Sequence, residues 1–293
     1  MRLSTLAALM ALFGLPVFAA PTNITRHICG SHLSSAKLQS LAAELPGHEA
    51  TWKSLVEEGG EKCSPKIINI HWHAIQIGKT GALGHVTAAT IKAQIHRLNL
   101  DYAASGYSFR LAGPVNHVTK KEWFDLGDIS EARAIAMKNA LRVGGIHDLN
   151  VYSVRSVTGD GESLLGVAAW PWDYSFDPQL DGIVVILDSL PGSKAFNGAY
   201  SLGRTLVHET GHWLGLLHTF QGGCTGVGDL VNDTPPERTA TFGCPTGKDT
   251  CLGGGPDPIH NFMDYSDDSC TTQFTAGQIQ RARMITHIFR GIC

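Results

Sequence analysis

The stretch HETGHWLGLLH, residues 208–218, contains three histidines that can reach a common point. Residues four apart lie on the same face of an α-helix, so His208 and His212 can direct ring nitrogens at one metal ion. Gly215 can adopt the left-handed conformation that ends a helix, and the turn would bring His218 back to that ion. Three protein nitrogens and one open position are typical of catalytic zinc, because structural zinc sites are closed by four protein ligands.

Glu209 follows the first of these histidines directly and would face the open position of the metal. A carboxylate there can act as a general base on a bound water molecule. A histidine-rich helix without a metal is the alternative interpretation. With 14 histidines and 33 glycines in 293 residues, the complete pattern would arise by chance in about one of ten thousand such chains. The spacing therefore favours the zinc site.

A methionine follows downstream, in the stretch NFMDYSDD at residues 261–268. Alone, Met263 would predict core packing. The long zinc motif followed by this methionine resembles the pattern of the metzincin metallopeptidases, which carry a methionine in a tight turn beneath the zinc. The chain is most similar to the pappalysin family, specifically its secreted fungal-type extracellular metalloproteases, in the stretches GHWLGLLHTFQGGC, VNDTPPE, GCP and NFMDY. The resemblance is dense from Leu202 to the C-terminus.

This resemblance implies an α+β fold, a metzincin-like catalytic domain that binds zinc. A mixed, twisted sheet and helices would form an upper subdomain at residues 66 to about 215. Residues 216–293 would form an irregular lower subdomain held by disulfides. The resemblance also implies that Tyr265 stabilises the oxyanion of the reaction and that Ca²⁺ binds near Asp229 and Asp233. Core packing of the tyrosine and solvated turn aspartates are the alternatives.

Hydrophobic patterns predict the elements of such a fold. Apolar or alternating runs predict strands at residues 66–78, 107–113, 148–154 and 181–190, and a short edge strand at 164–170. Helical spacing predicts helices at residues 34–45, 86–102, 129–141, 203–214 and 275–290. Strands that alternate with helices indicate a mixed sheet backed by helices. His71 and His73 share one face of the first strand, where a solvent-facing pair and a metal pair are both open.

The N-terminal residues have the composition of a secretory signal. Arg2 precedes an apolar run, residues 3–15, that is too short to span a bilayer. We expect a signal peptide at residues 1–19, a leader or pro-segment at 20–65, and a catalytic domain at 66–293. The protein is therefore predicted to be secreted and extracellular.

Secretion and composition limit the partners. The sequons at Asn23 and Asn232 are candidate glycosylation sites. The net charge of −3 gives no reason to expect nucleic acid. We expect a monomer that has no membrane association once the signal is removed, and whose partners are protein or peptide substrates.

The seven cysteines lie in an oxidising compartment if the chain is secreted, so disulfides are expected. Four of them lie around a glycine- and proline-rich loop and allow three pairings. We expect Cys224–Cys251 and Cys244–Cys270, which interlock the loop and agree with the family resemblance.

Three cysteines remain outside the loop. A pairing of Cys63 with Cys293 would join the start and the end of the domain and leave Cys29 free. A Cys29 thiolate could then occupy the open position of the zinc and keep a precursor inactive. An ordinary disulfide through Cys29 is the alternative.

The predicted activity is hydrolysis of peptide bonds by a zinc-bound water that Glu209 activates. A zinc-binding decoy or adhesin without turnover is a second hypothesis, although it would be expected to lack Glu209. A zinc hydrolase that acts on other bonds is a third. The resemblance to metzincins also implies that the chain past the methionine forms one wall of the pocket for the residue after the scissile bond. Asp267 or Asp268 facing that pocket would favour arginine or lysine, unless both face water.

Overall fold

The computed structural model describes residues 29–57, 66–78 and 83–292. The predicted signal peptide, the sequon at Asn23 and the expected pairing of Cys63 with Cys293 lie outside these residues. No helix within the described ranges is long and apolar enough to cross a membrane.

Strands form two sheets. The described residues contain β1 (Lys66–Gln76), β2 (Tyr107–Leu111), β3 (Asn116–Thr119), β4 (Asp125–Asp128), β5 (Leu149–Val154), β6 (Ser156–Gly159), β7 (Glu162–Leu164), β8 (Gly166–Ala168) and β9 (Ile183–Ile186). The larger sheet has the order β2-β1-β5-β9-β8, with β3 paired to the far end of β1. Its pairs are parallel except that of β8 with β9, which is antiparallel. The predicted mixed sheet is confirmed.

The edge of this sheet is β8, which the sequence predicted as a short edge strand. Beside it β9 is buried along its whole length, as the apolar run predicted. The smaller sheet, in the order β4-β6-β7, was not predicted. Its strands are three or four residues long, which leaves no hydrophobic period to detect.

Six α-helices lie in the described part of the chain. They are α1 (Ser35–Glu57), α2 (Ala88–Asp101), α3 (Lys121–Phe124), α4 (Ala132–Leu141), α5 (Arg204–Trp213) and α6 (Ala276–Arg290). The Thr87 side chain caps α2, and a capping box of Thr275 with Gln278 opens α6, because a helix N-terminus needs acceptors for its free N–H groups. Helix α1 extends beyond the clearest amphipathic piece at residues 34–45 and continues through Pro46.

A hydrophobic cluster covers each face of the larger sheet. Ile183 and Val185 belong to the cluster that includes side chains of α2, α5 and α6, and Val184 and Ile186 belong to the other. This alternation places α5, the helix of the zinc motif, directly against one face of the sheet. His73 is buried rather than solvent-facing, since its ring stacks on Tyr152 and its Nε2 lies 3.0 Å from the Asn150 side chain.

The chain between α5 and α6 is irregular. Residues 214–275 contain no helix and no strand beyond isolated bridges. Two disulfides, Cys224–Cys251 and Cys244–Cys270, cross this segment. They are the pairings that the family resemblance implied, and they tie the loop to the residues that follow the methionine.

Candidate active site

Helix α5 carries the first two histidines of the motif into the interior. Every residue from Thr205 to Trp213 is buried, so the helix is fixed by packing on both sides. The chain turns sharply after it at Gly215, whose φ is +96°. A side chain there would collide with Ile285. Glycine is therefore required for two reasons: the positive φ, and the lack of room for a Cβ atom. The turn brings His218 back towards the helix.

The three histidines converge on one point. The Nε2 atom of His212 lies 3.1 Å from Nε2 of His208 and 3.0 Å from Nε2 of His218. The Nδ1 atoms of His208 and His212 lie 2.7 and 2.8 Å from the backbone carbonyls of Phe262 and Leu216. A carbonyl can only accept, so in these two rings Nδ1 carries the proton and Nε2 presents a lone pair.

This arrangement needs a cation at its centre. Two rings that present lone pairs 3.1 Å apart cannot hydrogen-bond to each other. Burial lowers the pKa of His208 to about 4, and burial, with the neighbouring histidines, holds the pKa values of His212 and His218 well below the ordinary value. The rings are thus neutral, which is the state that binds metal. Three neutral imidazole nitrogens are a donor set that fits zinc.

Glu209 lies beside this point and is completely buried. Its Oε2 accepts hydrogen bonds from the Cys29 thiol at 3.4 Å and the Ser31 hydroxyl at 3.3 Å. Its Oε1 has no partner among the described residues. Burial raises the pKa of this carboxyl to about 8, against the effect of the two hydrogen bonds. An acid with a raised pKa beside a metal position can both accept and return a proton near neutral pH.

The edge strand β8 passes close to Glu209. A Cβ added at Gly166 would lie 2.7 Å from the glutamate side chain, so only glycine allows this approach. The strand also receives the leader. The Gly30 amide donates to the Gly166 carbonyl at 3.0 Å, and the Ser31 hydroxyl contacts both backbone groups of Ala168. The segment around Cys29 therefore pairs with the outer edge of β8.

Cys29 completes the cluster. Its sulfur and one nitrogen of each histidine lie within 4.8 Å of one another, which makes them the single group of this kind in the described ranges able to hold a metal. The thiol is free and buried. The sequence left open whether Cys29 forms a disulfide or stays free, and the structure shows the free thiol. Ser31, which bonds Glu209 across 178 positions, was not foreseen, because the only signal is its place in the CGS triplet.

The methionine and the tyrosine meet the site from below. Met263 is completely buried, and its sulfur fills the space beside Gly211 of α5. The Tyr265 hydroxyl lies 3.2 Å from Nε2 of His218 and donates to the Cys29 carbonyl at 3.2 Å. Tyr265 therefore adjoins His218, and Met263 packs against α5 next to His212.

Asp268 lies near the site with its carboxylate engaged. It is buried, and its Oδ2 accepts from the backbone amides of Leu202 at 2.7 Å and Arg204 at 3.3 Å. Burial raises its pKa to about 6. A small pocket beside Glu209 includes this aspartate in its lining, together with Arg204, Asp264, Tyr200, Thr205, His208, Phe262 and Tyr265. Asp267 does not line it.

The expected calcium residues lie apart from the histidine group. Both oxygens of Asp233 are used at the start of α6, where they accept from the Thr275 hydroxyl at 2.6 Å and the Gly277 amide at 2.8 Å. Asp229 is buried, and one of its oxygens accepts from the Val231 amide at 3.1 Å. No group of metal-binding side chains in the described residues contains either aspartate. Asn232, between them, is exposed.

Comparison with known proteins accords with this geometry. A family model described as pregnancy-associated plasma protein-A, of the peptidase class M43, matches residues 149–287. Extracellular metalloprotease 1 of Coccidioides posadasii is 38% identical over 99% of both chains. The chain belongs to this family of metallopeptidases. An extracellular metalloprotease of Verticillium alfalfae is 39% identical to this chain over 89% of both chains.

Solved structures share the metallopeptidase fold. A promirolysin mutant from Tannerella forsythia has a TM-score of 0.65 at 22% identity and covers 91% of this chain and 95% of its own. Mature mirolysin in complex with a cleaved peptide, also from Tannerella forsythia, has a TM-score of 0.60 at 26% identity. It covers 75% of this chain and 91% of its own. The promirolysin structure thus covers a larger share of this chain than the mature mirolysin structure does.

Proposed function

We propose that this metallopeptidase is a secreted, zinc-dependent endopeptidase that hydrolyses internal peptide bonds of protein substrates. The observation that carries the proposal is the convergence of three buried, neutral histidine nitrogens beside a buried carboxylate. His208, His212 and His218 would hold the zinc. When bound there, zinc supplies a Lewis acid that lowers the pKa of a water molecule and polarises a carbonyl.

The residues around the metal would divide the remaining chemistry. Glu209 would accept a proton from the attacking water and pass it to the leaving amine, because its carboxylate lies beside the metal position. The Tyr265 hydroxyl would donate a hydrogen bond to the tetrahedral oxyanion. An extended substrate would add to the edge strand β8, because that strand has one side unpaired within the sheet. Met263 would support the floor of the site by packing alone.

The leader would keep the enzyme inactive until it is removed. Cys29 lies where a water molecule would bind, Ser31 holds Glu209, and the backbone of the leader covers β8. The name of the precursor structure, promirolysin, and its larger coverage of this chain support the same view. We propose a signal peptide at residues 1–19, a removable leader at 20–65 and a catalytic domain at 66–293, with a glycan at the exposed Asn232.

Asp268 would set a preference for basic residues after the cleaved bond. It lines the small pocket beside Glu209, and a cationic side chain entering there would offset the desolvation of its carboxylate. Two backbone amides already bind this carboxylate and Arg204 lines the same pocket, as does Asp264, so the preference would rest on the excess of negative charge rather than on a free hydrogen-bonding face.

A cleavage profile on a peptide library tests these proposals together. The processed enzyme is incubated with the library, with and without a zinc chelator, and the products are sequenced. We expect internal cuts that the chelator abolishes and that re-added zinc restores, with arginine or lysine enriched after the cut. Cuts that persist without zinc would contradict the endopeptidase proposal. Large apolar residues after the cut would contradict only the role of Asp268.

A further inference from the structure

A second polar cluster lies under the metal centre, within the irregular loop. Glu237 is completely buried there. Its Oε2 accepts from the Thr219 hydroxyl at 3.0 Å, and its Oε1 accepts from the Thr241 hydroxyl at 2.5 Å. An ionised carboxylate removed from water needs a compensating charge, because isolated buried charges are strongly unfavourable.

Lys248 supplies that charge from within the same loop. Its Nζ lies 2.7 Å from Glu237 Oε1 and 3.2 Å from Asp257 Oδ2. It also donates to the Thr239 carbonyl at 3.0 Å and contacts the Thr241 hydroxyl at 2.8 Å. Partial burial would lower the pKa of the lysine, but the hydrogen bonds and charges of the two carboxylates raise it. The ammonium is therefore charged inside a cage of two carboxylates, a carbonyl and a hydroxyl.

This oxygen set has the composition of a hard-cation site. Calcium in proteins binds carboxylate and carbonyl oxygens on irregular backbone. Of the four oxygens around Lys248 Nζ, two belong to carboxylates, one to a carbonyl and one to a hydroxyl. The Asp257 backbone amide also donates to the Lys248 carbonyl at 2.9 Å, which closes the loop on itself. The ammonium thus lies among oxygens of the kinds that hold a hard cation.

The cage connects directly to the residues of the candidate active site. Thr219, which binds Glu237, follows His218 in the chain. The Thr241 amide donates to Asp264 Oδ1 at 2.9 Å, and the same oxygen accepts from the Tyr265 amide at 2.7 Å. A displaced Glu237 would therefore release the segments that carry the third metal ligand and the tyrosine.

We infer that Lys248 is a built-in cation that replaces a divalent metal in the loop and positions His218 and Tyr265 through Glu237. Lys248 is a positioning residue, since it touches neither the metal position nor Glu209. This inference goes beyond the proposed endopeptidase activity, and its stability and zinc-binding tests do not depend on that activity.

The test removes the charge of Lys248 in two ways: alanine leaves the cage empty, whereas methionine fills it with an uncharged side chain. Lys248→Ala, Lys248→Met and Lys248→Arg are made in the full chain carrying Glu209→Ala, which prevents self-digestion, and Lys194→Met, at an exposed lysine, is the control. For each protein the melting temperature Tm is measured with and without millimolar Ca²⁺, and the zinc Kd is measured well below Tm. A purely structural lysine would change Tm without changing the zinc Kd.

We expect Lys248→Ala and Lys248→Met to lower Tm by about 5–15 °C and to weaken zinc binding about tenfold. Ca²⁺ should restore most of the loss in Lys248→Ala, because the cage is open and doubly negative, but not in Lys248→Met, whose side chain still fills it. Lys248→Arg keeps the charge, so its Tm and its zinc affinity should fall less than those of Lys248→Met. Ca²⁺ should not change Tm of the parent.

Three results would overturn the inference. The first is a Tm and zinc Kd for Lys248→Met equal to those of the Lys194→Met control. The second is a Lys248→Ala protein that Ca²⁺ does not stabilise, or an equal effect of Ca²⁺ on all variants. If Lys248→Ala and Lys248→Met fail to accumulate as folded protein, an equal failure of Lys248→Arg shows that charge is not what the cage requires.

Discussion

The protonation of single atoms decides what the histidine cluster can bind. Two backbone carbonyls fix the protons of His208 and His212 on Nδ1 and turn their Nε2 lone pairs towards one point. The sequence spacing predicted which three histidines would meet, since residues four apart on a helix share a face. The carbonyls, at Phe262 and Leu216, were beyond prediction, because a pattern of side chains carries no information on where the backbone of another segment passes.

Replacing Glu209 with alanine should abolish turnover without unfolding the protein. Base catalysis contributes about 10²- to 10⁴-fold, so kcat should fall by at least that factor, while the zinc content stays at one ion per chain. The measurement is kcat on a fluorogenic peptide, with zinc content by elemental analysis. Glu122→Ala, at an exposed glutamate, is the matched control. Substantial remaining activity in a zinc-loaded Glu209→Ala protein would falsify the general-base assignment.

Replacing Cys29 with alanine should weaken the latency of the full chain. The thiol lies with the histidines and donates to Glu209 at 3.4 Å, and alanine cannot occupy a metal position. Full-length Cys29→Ala should therefore cleave a peptide without processing, at a rate well above that of the unprocessed parent. Lys53→Ala, at an exposed lysine of the leader, is the control. If the Cys29→Ala precursor is as inactive as the parent, the thiol is not the blocking group.

At the scale of elements, long periodic segments were predictable and short ones were not. The capped helix α6 begins at the predicted threonine, and β9 has the predicted burial. The clearest amphipathic piece of the helix-prone leader ends at residue 45, yet α1 continues to Glu57, because packing of His48 on Phe289 and of Trp52 on His287 outweighs the helix-breaking tendency of Pro46. Tertiary contacts of this kind cannot be read from a local pattern.

The turn after α5 should be intolerant of any side chain. In Gly215→Ala, the backbone angle and the collision with Ile285 should together cost about 2–6 kcal/mol of unfolding free energy. Zinc binding should also weaken, because His218 lies beyond this turn. Gly247→Ala separates the two causes, since Gly247 has a φ of +72° but nothing within 4 Å of an added Cβ. Equal losses in both variants by urea unfolding would refute the packing argument.

The end of α5 is held by a buried ion pair from α6. Arg290 and Asp181 are both buried, with Nη2 2.8 Å from Oδ1, and the guanidinium also donates to the Trp213 carbonyl at 3.1 Å. Arg290→Met should cost about 3–5 kcal/mol, because it leaves a buried carboxylate without its partner. The double variant with Asp181→Asn should lose less than the sum of the two single losses. Additive losses in thermal unfolding would contradict a coupled pair.

At the scale of the whole molecule, the leader and the catalytic domain share a hydrophobic core. Leu38 and Leu41 of α1 are buried against a cluster that includes Trp170, Trp172 and Met284. The Trp170 ring also stands edge-on against His212, with centroids 4.9 Å apart. Cleavage of the chain between α1 and β1 would not by itself separate these surfaces, because the apolar contacts persist without the covalent link.

The cleaved leader should therefore inhibit the processed enzyme when it is added back. A peptide of residues 27–57 carries the thiol, the β8-pairing segment and the whole of α1, so it can occupy the metal position and the apolar face together. A peptide with Leu41→Ala should bind about 10- to 100-fold more weakly, because it buries less apolar surface.

A Lys53→Ala peptide, changed at an exposed lysine, is the control. The inhibition constant is measured on a fluorogenic peptide under reducing conditions. If the Leu41→Ala and Lys53→Ala peptides inhibit equally, the helix contributes nothing to binding, and the leader acts through its first few residues alone.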